Sequence, residues 1–255
     1  MTDSNPSNPA EQPKGPHEQW ARPMERISRE AVPEGAFAPN LAGRRLTGPL
    51  QGFGPLWEKI YRVRLEGVQS SPQDVLTIWK ENFGRFQPKS VHFHPPARGI
   101  QPGEVMPIDF NLSPAPGMPE IIPMDSGVRI IYSDDTAFTV MTPEGFPISG
   151  WNTFSVAEEE GCLVAQVYSL LRTADPVYEV GYRLMGGEKK QESDWVEVLA
   201  NLAKHLNVTP AVTVKTTCLD PKIQWREAGN VVHNAAIRTF FHRLLRPWAW
   251  FKKRA

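Results

Sequence analysis

The chain has 255 residues with 28 basic and 28 acidic side chains, so it carries no net field to gather polyanions and nucleic acid is not an expected partner. Its two cysteines, Cys162 and Cys218, supply neither a disulfide framework nor a zinc ligand set. No run of about 18 apolar residues occurs and no basic-then-apolar leader follows Met1, so the expected location is the cytoplasm, with peripheral membrane contact as the variant discussed below.

Residues 1–40 hold seven prolines among Ser, Asn, Gln and Glu, with too few large apolar side chains to offset the entropy of ordering. A disordered tail is expected over 1–44, a folded domain over 45–206 and a C-terminal extension over 207–255. Within 59–65, Tyr61, Val63 and Leu65 alternate with Arg62 and Arg64, the period of a half-buried strand. A helix follows. Ser71 is its cap, Pro72 suits the first turn, Asp74 favours the positive end of the dipole, and Val75, Ile78, Trp79 and Phe83 share one face.

Residues 89–127 are rich in proline and glycine, and only 104–112 alternates like an edge strand. Beyond them, 128–132, 136–141, 151–156 and 162–172 read as strands separated by turns at 133–135, 143–145 and 158–161, an antiparallel meander. Asp175 and Pro176 then start a second helix carrying Val177, Val180 and Leu184. Gly186 and Gly187 break or bend it, and Trp195, Leu199, Leu202 and Leu206 resume one apolar stripe that should face a sheet.

The fold class expected is α+β: a curved antiparallel sheet gripping a long C-terminal helix, with a disordered N-terminal tail and a C-terminal basic amphipathic helix. This element order matches the helix-grip arrangement of START-like and Bet v 1-like proteins, in which the sheet curls around the last helix and leaves a hollow. Several stretches also stand out together: Gly52-Phe53-Gly54, Gly127 with 128–132, Thr142-Pro143-Glu144-Gly145-Phe146-Pro147, Gly150-Trp151 with Phe154, Asp175-Pro176, and the helix bearing Trp195. In these stretches the chain resembles, over roughly 45–230, an uncharacterised family of bacteria and plants catalogued as domain of unknown function nineteen-ninety. The resemblance implies a fold and no activity. Where it implies a histidine in the 142–147 turn, this chain has Phe146.

Aromatic side chains are the leading binding candidates. Tyr132, Phe138, Trp151, Phe154 and Tyr168 come from the meander, and Tyr178, Tyr182 and Trp195, with Leu199, from the helix. If sheet and helix stand apart, these line a pocket for a hydrophobic small molecule or lipid; if the two close together, they are core. No catalytic residue, metal or cofactor is expected, since no phosphate-binding loop, Gly-x-Ser-x-Gly elbow or His-Glu-x-x-His run occurs. His92 and His94 would share a strand face without a third ligand at a diagnostic spacing. Asp134, Asp135, Glu144 and the acids at 158–160 fall at turns, where carboxylates shape the backbone. For an enzyme using the same pocket, a START-like cyclase or hydrolase, the nearest acid–base groups are Tyr132, Asp109 and Tyr168.

Near the end of the sequence, Ile237, Phe240, Phe241, Leu244, Leu245 and Trp248 make one helical face, with Arg238, His242 and Arg246 on an opposite line. Residues 231–255 contain six Lys or Arg and no acid. Arg238, Phe241, Arg243, Leu245, Arg246, Trp248 and Trp250 are therefore candidates for a membrane or partner contact. Three readings stay open: packing on the chain's own domain, docking on an acidic partner, and lying on a membrane surface.

Overall fold

The structure, a computed structural model, describes residues 20–22, 26–34, 36, 38–113, 118 and 121–245. In chain order the elements are β1 (Leu56–Leu65), α1 (Pro72–Glu81), β2 (Val91–Phe93), β3 (Val105–Leu112), β4 (Ile122–Ser133), β5 (Ala137–Met141), β6 (Ile148–Glu159), β7 (Cys162–Thr173), α2 (Pro176–Leu184), α3 (Gly187–His205), β8 (Val212–Asp220) and α4 (Ala235–Leu245). The strands form one curved sheet in the order β2-β3-β4-β5-β6-β7-β1-β8, antiparallel at every step.

Local chemistry sets the helix ends. Ser71 Oγ accepts from the Asp74 N–H at 3.1 Å while the Asp74 carboxylate accepts from the Ser71 N–H at 3.2 Å, a reciprocal cap that fixes the start of α1. Asp175 caps α2 by accepting from the N–H groups of Val177 and Tyr178 at 2.8 and 3.0 Å. Gly186 has φ of +81°, a left-handed conformation that closes α2 and opens α3, so the two helices meet at a bend.

One face of the sheet carries the core. Its period of two brings Tyr61, Val63 and Leu65 of β1, Phe154 and Val156 of β6, and Phe138 and Val140 of β5 onto the side covered by α1 and α3. The α3 stripe of Val198, Leu199 and Leu202 is buried against it, with Trp195 packed on its edge. The sheet thus grips α3, as the element order implies.

Two boundaries differ from the sequence reading. Residues 1–19 and 23–25 of the expected tail lie outside the described residues, but parts of 26–44 pack: Ile27 and Leu41 are buried with Val105, and Asn40 Nδ2 donates to the Asp125 carbonyl at 2.7 Å and to Thr239 Oγ1 at 2.9 Å. A few well-placed apolar side chains and one satisfied amide anchor them despite their composition. Within the expected 207–255 extension, β8 pairs along the length of β1 and extends the sheet. The further helix expected after α3 is present as α4, and the Val177, Val180 and Leu184 stripe of α2 faces solvent.

Candidate functional site

Between the sheet and α3 the interior is graded from apolar to polar. At the apolar end Phe138 and Phe154 stack with ring centroids 4.5 Å apart, and Trp79, Phe83 and Trp195 each meet Phe154 edge-on at 5.4–5.5 Å. Both phenylalanines are fully buried. Here the sheet and helix have closed, so these rings are core in the structure.

At the other end, antiparallel pairing sets Lys59 opposite Ser169 and Ser169 opposite Asn152, a polar row across three central strands. All three are buried, and Ser169 Oγ donates to Asn152 Oδ1 at 2.5 Å. Lys59 has no exposed surface, and its ammonium lies 3.4 Å from Glu188 Oε1 and 5.3 Å from the centre of the Tyr182 ring. Two residues along β1, the Tyr61 hydroxyl is buried with no hydrogen-bond partner. The indole N–H of Trp195 is unpartnered too. Such orphan groups are uncommon because each forfeits the solvation it had in the unfolded chain.

The helical wall matches this gradient. Glu188, Gln191 and Glu192 occupy the first two turns of α3, ahead of Trp195 on the same side, and Tyr182 Oη of α2 donates to Gln191 Oε1 at 2.7 Å. Burial lowers the pKa of the Lys59 ammonium, opposed by the nearby Glu188 and Glu192 carboxylates. Burial also raises the Tyr61 and Tyr182 phenols, with neighbouring glutamates adding to the effect, so both remain hydrogen-bond donors. The arrangement offers an ammonium, two phenols and an indole N–H around an apolar wall, beneath the bend at Gly186.

The sequence-selected residues divide between the two faces. Phe138, Phe154, Tyr182, Trp195 and Leu199 lie together on the gripping side. Tyr132, Trp151 and Tyr168 lie on the outer face and are not brought to them. Trp151 is one residue out of phase with the inward Asn152 and Phe154, and Tyr168 with Val167 and Ser169. A register shift between Ile130 and Tyr132 turns Tyr132 outward, where it packs on Trp20 and donates to Asp134. Tyr168 Oη donates to Glu58 at 3.1 Å, also outside. Asp109 pairs with His94 at 2.8 Å on the β2–β3 edge, so none of the three acid–base candidates reaches the interior. Among the described residues, no group of three or more His, Cys, Asp or Glu could hold a metal ion.

On α4, Arg238 is half-buried and Phe241 exposed. Arg243 and Leu245 lie within α4, but their side chains, and all of Arg246, Trp248 and Trp250, fall outside the described residues. Sequence reading missed Lys59 and Tyr61 as site residues. The signal was present, since Lys59 shares the parity of Tyr61, Val63 and Leu65 on a strand whose face is otherwise apolar.

The 142–147 turn is a structural joint. The buried Glu144 carboxylate pairs with Arg45 at 2.7 Å, Arg44 at 3.6 Å and His233 at 3.5 Å. Gly145 has φ of +92°, and a Cβ there would meet the His233 carbonyl at 2.1 Å. On the outer face near β8 there is a groove of about 500 Å³ lined in part by Arg62, Arg64, Glu159 and Thr213. Its arginines already pair with Glu159 and Glu160.

None of the protein-family models matches the chain, and neither does a curated protein. Among solved structures it is similar to protein Ms6760 from Mycobacterium smegmatis, at 11% identity over 64% of this chain and 96% of that one, with a TM-score of 0.40. It is also similar to the ginseng major latex-like protein 151 from Panax ginseng, at 11% identity over 60% of this chain and 98% of that one, with a TM-score of 0.35. A third is the di-domain ARO/CYC StfQ of the steffimycin biosynthetic pathway, at 10% identity over 60% of this chain and 50% of that one, with a TM-score of 0.41. Likenesses at this level bring neither a family nor a function to the chain.

Proposed function

We propose that this chain binds and carries a hydrophobic small molecule with a carboxylate head, held between the sheet and α3 with the head at Lys59. The observation that carries this reading is a fully buried ammonium beside an unpartnered Tyr61 hydroxyl, on the gripping face of the sheet. A buried lysine held only by a half-exposed glutamate and a phenol without a partner both cost the fold stability, and an anionic ligand would satisfy both. A carboxylate displacing Glu188 would pair with the ammonium and supply the acceptor Tyr61 lacks. Glu188, whose side chain is 40% exposed, would turn to water at little cost. The apolar body would run along the stacked Phe138 and Phe154 as α3 swings on the Gly186 bend.

Intrinsic fluorescence of the protein, with Trp195 beside the binding face, reports the titration. The ligands are a medium-chain fatty acid, the matching alcohol and the matching methyl ester, with native mass spectrometry for stoichiometry. The acid should bind about tenfold more tightly than the ester, the worth of roughly one charge-assisted hydrogen bond. Lys59→Met should erase that preference. Equal affinities in the wild type, or no binding by any of the three, would refute the reading.

A further inference from the structure

At the far side of α2 the molecule exposes an unusual amount of apolar surface. Val177, Val180 and Leu184 are 51%, 52% and 70% exposed, at positions i, i+3 and i+7 of a helix whose opposite side buries Tyr178 and Tyr182. Beside it, the 3₁₀ segment Trp225–His233 exposes Trp225 and Val232, and α4 exposes Ile237, Phe240 and Phe241. Together these three elements hold eight of the fourteen large apolar side chains exposed among the described residues.

The three elements are neighbours. Tyr178 of α2 accepts from the Ala236 N–H of α4 at 3.1 Å, and Ala235 and Ala236 are buried against it. Asn230 of the 3₁₀ segment donates to the Ala174 carbonyl just before α2 at 2.9 Å. Scattered exposed leucines and valines are ordinary on a protein surface, whereas clustering on adjoining elements marks an interaction face.

Charge selects the partner. The chain as a whole is neutral, yet residues 231–255 carry six Lys or Arg and no acid, with Trp248 and Trp250 among them. The acids on the neighbouring elements are already neutralised: Glu179 by Arg183, and Glu227 by Arg226 at 3.1 Å. Pairing of this face with a second copy would bring two such basic segments together. No helix of the described residues is long and apolar enough to cross a membrane. Apolar side chains presented on helices suit the interface of an anionic bilayer when the sequence that continues from α4 is basic and carries Trp248 and Trp250.

We infer that α2, the Trp225–His233 segment and α4 form one face by which the protein lies on an anionic membrane surface. The test is flotation of the full chain with vesicles of phosphatidylcholine alone and with about one third phosphatidylserine, using Val180→Ser/Leu184→Ser and Phe240→Ser/Phe241→Ser variants, which leave the charge unchanged. These positions are exposed, so both double variants should keep the wild-type melting temperature. The wild type should float with the anionic vesicles only, and each double variant should lower its partition coefficient by about tenfold or more. Involvement of α2 as well as α4 is the discriminating result, since a free basic tail would be indifferent to Val180 and Leu184. Failure to float, flotation unaffected by the α2 variant, or binding to a soluble polyglutamate without binding to vesicles would each overturn the inference. So would a dimer in solution that the Phe240→Ser/Phe241→Ser variant dissociates while vesicles remain unbound.

Discussion

Lys59 and Glu188 face each other 3.4 Å apart across the seam between the sheet and α3, the lysine with no exposed surface and the glutamate with 40% of its side chain in water. The pair is lopsided: the ammonium has lost its hydration, while much of its partner's charge is still screened by solvent.

Lys59→Met should therefore stabilise the protein at pH 7 by about 1 kcal/mol, because the chain keeps its packing volume and Glu188 can hydrate. Burial lowers the folded-state pKa of Lys59 below the unfolded value of about 10.4. Between those two values the unfolded chain holds more protons, so the wild type should gain stability from this group as pH rises through that window, and the cost is fully present below the folded pKa. Urea midpoints of wild type and variant from pH 7 to 10 should converge upward. A variant less stable than wild type at pH 7 would show the ion pair to be a net stabiliser.

Tyr61→Phe removes a buried hydroxyl that has no partner. Deleting an unsatisfied polar group should raise stability by about 1 kcal/mol. The same substitution should weaken binding of the fatty acid while leaving the methyl ester unchanged, a split that a purely structural tyrosine would not produce. Chemical denaturation and the fluorescence titration read the two effects separately.

Much of the fold was legible because its elements are short-range in origin. The Ser71-Pro72-Gln73-Asp74 cap, the Asp175-Pro176 start and the alternation in 128–172 each act within a few residues, and each is found in place. The site was less legible. Phe138 and Phe154 share a face with each other but not with Trp151 or Tyr168, a matter of strand parity that the sequence does contain. The outward turn of Tyr132 was not readable in advance, since it depends on a register shift at Ile130. The burial of Asn40 involves a partner, Thr239, about 200 residues away, which no local pattern encodes.

Phe154 stacks on Phe138 and meets three further rings, Trp79, Phe83 and Trp195, all within 5.5 Å. Phe154→Ala should destabilise the protein by about 3–5 kcal/mol through the cavity it leaves. That cavity lies against the proposed ligand path, so small apolar solutes such as benzene should bind the variant and recover part of the lost melting temperature. No recovery at saturating benzene would show that the core collapses instead.

Asp134 shapes the β4–β5 turn by accepting from the Thr136 N–H, the Thr136 hydroxyl and the Ala137 N–H, each at 2.8 Å, and from Tyr132. Partial burial raises its pKa, but these donors outweigh that and hold the carboxyl at about 2. Because the folded pKa lies below the unfolded one of about 3.9, the stabilisation is fully present above pH 4 and is lost as pH falls toward 2. Asp134→Ala should cost about 1–2 kcal/mol at pH 7, the worth of the lost turn hydrogen bonds. The gap between variant and wild type should narrow steadily between about pH 4 and pH 2 as the wild-type carboxylate is protonated. Melting curves across that range check the sign, and a gap that widens on acidification would mean that the charged carboxylate is not what the turn holds.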